Sequence, residues 1–272
     1  MIRTTQSPRK DIHIHNQKKC TESRRGFSVA LAICFGVAIT PPAAFGQEKG
    51  NDDFATRLAN LEKRIEEERK RQHIPGVAIA VVKDDKVVLA KGFGYRDMET
   101  EQPVTPETLF AIGSTTKAFT ATLIGMLADD SKMSWDDPVD KHIPDFRLKV
   151  DTGDDKVTVR DLLCHRTGYT RMSVLWAAGR LTRPEVIELA ATAEPLEDFR
   201  KKFLYNNVMY MAAGQAAGKA ADSDWESLVA ARILDPLNMT DSSTSITDAQ
   251  KDERLAKGHL WNEDKQTHKR LP

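Results

Sequence analysis

The sequence predicts an α+β fold, with an N-terminal helix and a β-hairpin followed by a mainly helical region. Three patterns carry this reading. Apolar residues recur at helical spacing between Asp52 and Gln72, two short β-branched runs flank Asp84-Asp85, and from Thr105 onward the apolar spacing is again helical. Of the 272 residues 40% are hydrophobic and 29% charged, a globular balance. The net charge is zero, which argues against a dedicated nucleic-acid binder. There is no internal repeat and no low-complexity tract.

Taken in order, Phe54, Leu58, Leu61 and Ile65 mark one face of the first helix. The charged run Glu66 to Arg71 is its solvated end, and His73-Ile74-Pro75-Gly76 stops it. Val77 to Val82 and Lys86 to Ala90 form the hairpin around an Asp84-Asp85 turn, with Gly92 to Tyr95 leading outward into a loop. Thr105-Pro106-Glu107 opens a turn. Lys117 to Asp129 is the strongest helix, with Phe119, Leu123, Ile124 and Leu127 on one side. Val159 to His165, Pro184 to Ala193, Val208 to Ala221 and Trp225 to Leu234 are further helices. A two-stranded hairpin is marginal alone, and no clear strand follows the helical stretch.

Residues 1–46 have the layout of a secretory signal. A basic segment precedes the apolar run Phe27 to Ile39, and Ala44 and Gly46 are the small residues before a cut after Gly46. The apolar run is too short for a comfortable membrane span. Ser23-Arg24-Arg25-Gly26-Phe27 also resembles the twin-arginine signal, so both export routes fit and the expected location is periplasmic or secreted, with no stable membrane span after cleavage. The leader carries +5 and residues 47–272 carry −5, a mildly acidic domain that names no partner. Cys20 and Cys34 leave with the leader, so Cys164 has no internal disulfide partner.

Ser114 and Lys117 are three apart, neighbours on a helix surface at the start of the strongest helix. A first-turn Ser meets free N–H groups and the positive end of the helix dipole. A Lys one turn on can take its proton if burial leaves the amine neutral. Ser7 and Lys10 show the same spacing inside the leader, so the pattern alone is weak, and a plain helix N-cap explains Ser114 equally well. Tyr205-Asn206-Asn207 adds weight. A Tyr hydroxyl beside a cation can act as general base or acid, and an Asn beside it can hold a substrate amide and orient the Lys. A half-buried loop Tyr with a turn-forming Asn is the bland alternative.

Ser-x-x-Lys opening a helix, followed by Tyr-x-Asn, resembles the serine β-lactamase and penicillin-binding-protein superfamily, in its class C β-lactamase, DD-peptidase and esterase branch. Ile74 to Ala78, Phe110 to Lys117, Asp136 to Val139, Val157 to Gly168 and Pro236-Leu237-Asn238-Met239 resemble its blocks in order. The likeness runs over about residues 54–260. It implies a β-lactamase/transpeptidase-like fold and acyl transfer to Ser114. Lys117 would be the activating base, Tyr205 the general base and acid partner, and Asn207 a substrate contact. The Ser114 amide and one strand N–H would form the oxyanion hole, with a small-molecule or peptide substrate, no cofactor and no metal. His165 is expected to be structural.

Two departures stand out. The family places Pro-Gly before the Tyr motif, where Asp198 to Lys202 stands here. Its third motif, His-x-Gly or Lys-[Ser/Thr]-Gly, does not occur after Asn207. The expectation is therefore a domain at 47–272 incomplete at its C-terminal end, lacking the family's late strands and final helix and weakly active or inactive. A non-catalytic relative that binds peptide or cell-wall fragments is the alternative. A Ser-His-Asp hydrolase is disfavoured because no Gly-x-Ser-x-Gly elbow occurs. The scattered His residues disfavour a metal hydrolase. Oligomeric state is not legible.

Overall fold

The computed structural model describes residues 53–176 and 179–271. The leader at 1–46 lies outside them. Helix α1, Phe54–Arg71, lies beside the first sheet, and none of its residues is fully buried. It ends where Arg69 turns back, its guanidinium donating to the Ile74 carbonyl at 2.8 Å and the Pro75 carbonyl at 3.1 Å. Strand β1, Gly76–Lys83, pairs antiparallel with β2, Lys86–Asp97, with Ala80 opposite Ala90. β2 is longer than expected and runs through Gly92 to Tyr95 to reach Asp97, where β3, Gln102–Pro103, joins its other edge. Gly92 is required there by close approach: a Cβ would lie 2.1 Å from the Val104 carbonyl oxygen.

The helical region holds the main core. Helix α2, Thr116–Asp129, buries Leu123, Ile124 and Leu127 completely. They pack in one cluster with Val208, Met209, Ala212 and Ala213 of α6, Asn207–Ala220. Leu162 of α3, Val159–Leu163, and Val186 of α5, Arg183–Thr192, belong to the same cluster. The small residues along α6 let its neighbours approach closely, and each large side chain sealed there contributes roughly 1.5–3 kcal/mol. α3 carries a capping box, the Thr158 hydroxyl accepting from the Asp161 N–H while the Asp161 carboxylate accepts from the Thr158 N–H. The predicted 225–234 helix is instead α7, Trp225–Val229, followed by a π-helical turn at Ala230–Leu234. Two short helices were not foreseen, α4 at Ser173–Trp176 and α8 at Ile246–Ala249.

The expectation that no strand follows the helical stretch is corrected. β4, His259–Asn262, and β5, Thr267–Arg270, form a second antiparallel pair. Their eight residues are mostly polar or charged, so no apolar alternation announces them. Tertiary contacts hold them instead. Trp261 stacks on His73 at 3.8 Å, the His268 ring bonds the His73 carbonyl at 2.7 Å, and Arg270 pairs with Asp97 at 3.0 Å. This hairpin does not enter the β1–β2–β3 ladder.

Candidate active site

Ser114 stands in a 3₁₀ turn, Gly113–Thr115, that leads into α2, rather than in the first α-helical turn as its spacing predicts. Gly113 adopts φ +51°, a left-handed conformation that lets the chain swing into this turn. Lys117, in the first turn of α2, reaches back to the Ser114 Oγ at 3.4 Å. Its shorter bond, 2.7 Å, goes to the Asn207 Oδ1 at the start of α6. The Tyr205 hydroxyl hydrogen-bonds the Ser114 Oγ. The structure thus brings together all four predicted residues, from segments some ninety positions apart.

Two cations lie close to the Tyr205 ring. Lys117 Nζ is 4.7 Å from its centroid and the Arg171 guanidinium 5.0 Å. Lys117 and then the Ser114 hydroxyl are the main causes holding the Tyr205 phenol below its ordinary range, and Arg171 adds to them. Arg171 carries no motif, and only the fold shows its place.

Three buried groups set where Tyr205 sits. Asn206 caps α6, its Oδ1 accepting from the Val208 N–H at 2.8 Å and the Met209 N–H at 3.1 Å. Its side-chain amide donates to the Thr170 carbonyl, and its backbone N–H donates to His165 Nδ1 at 3.0 Å. His165 is therefore an acceptor at Nδ1, the neutral ring. It packs against Tyr205 at 4.6 Å and Tyr210 at 5.1 Å between ring centroids. Burial, then the nearby Lys117 charge, push its pKa down. Asp161 is the third group. Burial alone would raise its carboxyl, but bonds from Arg200, Thr158 and Arg166 outweigh this and hold it at about 2. Arg166 Nε donates at 2.5 Å, and Arg200 donates through Nε and Nη2, each at 2.9 Å.

Arg200 belongs to the segment that stands where the family places Pro-Gly. Besides its ion pair, its N–H bonds the Arg166 carbonyl at 2.8 Å, and the Leu204 N–H bonds the His165 carbonyl at 2.7 Å. The chain before Tyr205 is thus tied at both ends to the 158–166 block. Beside Ser114 opens a cavity of about 740 Å³ between α2, α6 and α7. Among the described residues no group of three or more His, Cys, Asp or Glu is placed to hold a metal ion, and no helix is long and apolar enough to cross a membrane.

A β-lactamase family model matches residues 61–270. The chain belongs to the β-lactamase family. Within it, the chain is 35% identical over 223 residues to unguisins hydrolase ungD of Aspergillus violaceofuscus, covering 76% of this chain and 38% of that one. It is 30% identical over 200 residues to protein flp of Staphylococcus aureus, covering 71% and 40%. Among solved structures, an octameric penicillin-binding protein homologue from Pyrococcus abyssi superposes with a TM-score of 0.69 at 32% identity, over 79% of this chain and 50% of that one. The α+β, β-lactamase/transpeptidase-like fold follows from these matches. The chain spans 38–40% of the length of these two curated relatives.

Proposed function

We propose that the chain is a serine hydrolase that works through an acyl-enzyme at Ser114, on a β-lactam, a D-Ala-D-Ala peptide or an ester. The observation that supports it is the bonded set Tyr205–Ser114–Lys117–Asn207. Tyr205 is the proton acceptor, because Lys117 directs its shorter bond at Asn207 and lies at the long end of hydrogen-bond reach from Ser114. Lys117 favours the phenolate and, with Asn207, holds it in place.

In the acylation step the Ser114 Oγ bonds to the substrate carbonyl carbon and its proton passes to the Tyr205 oxygen. The Ser114 N–H stabilises the oxyanion. The carbonyl's bond to the leaving group then breaks, and Tyr205 returns the proton to that amine or alkoxide. Water then attacks the ester on Ser114, Tyr205 takes its proton and returns it to the Ser114 Oγ, and the carboxylic acid leaves.

The test is covalent labelling with a fluorescent penicillin and, in parallel, a small fluorophosphonate, with Ser114→Ala as control. Labelling of the wild type and not of the variant is expected. Equal signal from both proteins would overturn the reading. Binding of either reagent without a covalent adduct would favour the non-catalytic alternative.

A further inference from the structure

Lys117 is the only cation among the described residues that stands over two aromatic rings. Its Nζ lies 4.7 Å from the centroid of Tyr205 and 5.3 Å from that of Tyr210. Tyr210 follows Asn207 by three positions on α6, so the two side chains share one face of that helix. Asn207 accepts from the ammonium at 2.7 Å, and Tyr210 meets the same group with the face of its ring. The His165 ring packs against Tyr210 as it does against Tyr205, so one buried imidazole braces both phenol rings. The four-residue set makes no use of Tyr210.

The two tyrosines around this ammonium differ in chemistry. The Tyr205 hydroxyl bonds the Ser114 Oγ, and its phenol is held low by Lys117 first and Ser114 second. Burial, then the neighbouring Cys164 and Tyr205, push the Tyr210 phenol up, so it stays neutral. Environments that drive two like groups apart give them different tasks. Tyr205 has the hydroxyl that exchanges a proton, and Tyr210 offers a π face. Such a face attracts an ammonium through the ring quadrupole, more strongly as water is removed. Lys117 is half-buried here, so the attraction is only partly screened. A lysine side chain has four rotatable bonds, and one short hydrogen bond does not fix them. A second contact on another side of the ammonium restricts it further.

We propose that Tyr210 is a positioning residue, whose ring seats the Lys117 ammonium against the Tyr205 ring and the Asn207 carboxamide. It acts through Lys117 and not on the reacting atoms. Its effect on rate rests on the serine hydrolase reading above; the seat itself does not. Without the Tyr210 ring, Lys117 is free to leave Tyr205, and the phenol loses the cation that does most to favour its ionised form. Arg171 remains over that ring, Ser114 remains bonded to its hydroxyl, and His165 is a neutral neighbour, so the phenol moves only part of the way back to its ordinary range.

Two experiments separate the seat from the reading of the reaction. The first needs no catalysis. The protein is labelled with ¹³C at tyrosine Cζ and titrated with base, the Tyr205 signal being assigned by its loss in Tyr205→Phe. Tyr210→Leu should raise the Tyr205 midpoint by about 1 pH unit, a tenfold loss of acidity. Tyr210→Phe keeps the ring and should restore most of that loss. Fluorinated phenylalanines in place of Tyr210 keep the ring's shape while draining negative charge from its face. The midpoint should therefore climb in steps from phenylalanine through its 4-fluoro to its 3,4,5-trifluoro form, and this series stands even if Tyr210→Leu does not fold. A midpoint that ignores fluorination overturns the proposal, as does an equal rise in Tyr210→Phe and Tyr210→Leu, which would assign the effect to the hydroxyl. The second experiment follows fluorophosphonate labelling at neutral pH, which should slow on the order of tenfold in Tyr210→Leu and recover in Tyr210→Phe. Undiminished labelling of Tyr210→Leu would overturn the role in the reaction. A stepwise climb in a protein that fluorophosphonate does not label would overturn the hydrolase reading and leave the seat standing.

Discussion

Replacing Asp161 with Asn tests whether charge, rather than packing, holds the loop that carries Tyr205. The Asp161 side chain is sealed from water, and its oxygens accept from the Thr158 N–H, the Thr158 hydroxyl and two guanidinium groups. A carboxyl held at about 2 rather than near its ordinary value of about 4 contributes roughly 2–3 kcal/mol at neutral pH. Breaking a sealed ion pair costs about 3–5 kcal/mol. The guanidinium partners here are about a third exposed, 34% for Arg166 and 32% for Arg200, so water replaces part of what they lose and the lower figure applies. Because the folded pKa is depressed, this contribution is present above about pH 4 and disappears as pH falls toward 2. Urea unfolding of both proteins from pH 7 down to pH 3 is the assay. The stability difference should be roughly 2–3 kcal/mol from pH 7 to about 5, then shrink as the pH falls below 4, at unchanged m-value. A difference that ignores pH would refute the electrostatic argument, and one below about 0.5 kcal/mol would show that the hub is not structural.

Tyr205→Phe removes the hydroxyl bonded to the Ser114 Oγ, the proposed proton acceptor, while leaving Lys117 in place, so the fluorophosphonate labelling rate should fall on the order of 10²- to 10⁴-fold; an unchanged rate would move the base elsewhere. Asn206→Ala leaves two helix N–H groups and the Thr170 carbonyl without their partner, and urea unfolding should register a loss of roughly 2–3 kcal/mol. His165 is buried as an acceptor with its pKa pushed down, so the unfolded chain binds the extra proton more readily. Stability should therefore decline as pH falls below about 6.5, and His165→Gln should remove that part of the slope in pH-dependent melting.

The parts of the fold that could be read in the sequence are those where burial follows a simple period. α2 announces itself through Leu123, Ile124 and Leu127, and β1 through its β-branched run. β4 and β5 could not be read this way, because ring stacking on His73 and the Arg270–Asp97 pair place them rather than an apolar face. At the site, Ser-x-x-Lys and Tyr-x-Asn were visible as types and spacings. The decoy at Ser7 and Lys10 shows why spacing alone carries little. What separates the two pairs is a second segment some ninety residues on, and only the fold shows that it arrives. The supports could not be read for the same reason. Asn206 looks like an ordinary cap, and nothing local in Asp161 or Arg200 says that they meet.

The segment before Tyr205 shows how a departure from the family pattern can keep the geometry. Arg200 adopts φ +61°, a left-handed conformation that glycine accepts without strain and that costs another residue about 1–2 kcal/mol. The Pro-Gly that the family places in this segment would supply such a turn through the glycine itself. Here the Asp161 ion pair and the bond to the Arg166 carbonyl hold a non-glycine residue in that conformation. Arg200→Gly exchanges one device for the other, relieving the strain while leaving Asp161 with Arg166 and Thr158 alone. It should therefore cost less than Asp161→Asn, which loses every charge-assisted bond at once, and the double variant should fall short of the sum of the two. Unfolding free energies of the four proteins in a double-mutant cycle decide it. A fully additive cycle would mean that Arg200 holds the loop without Asp161.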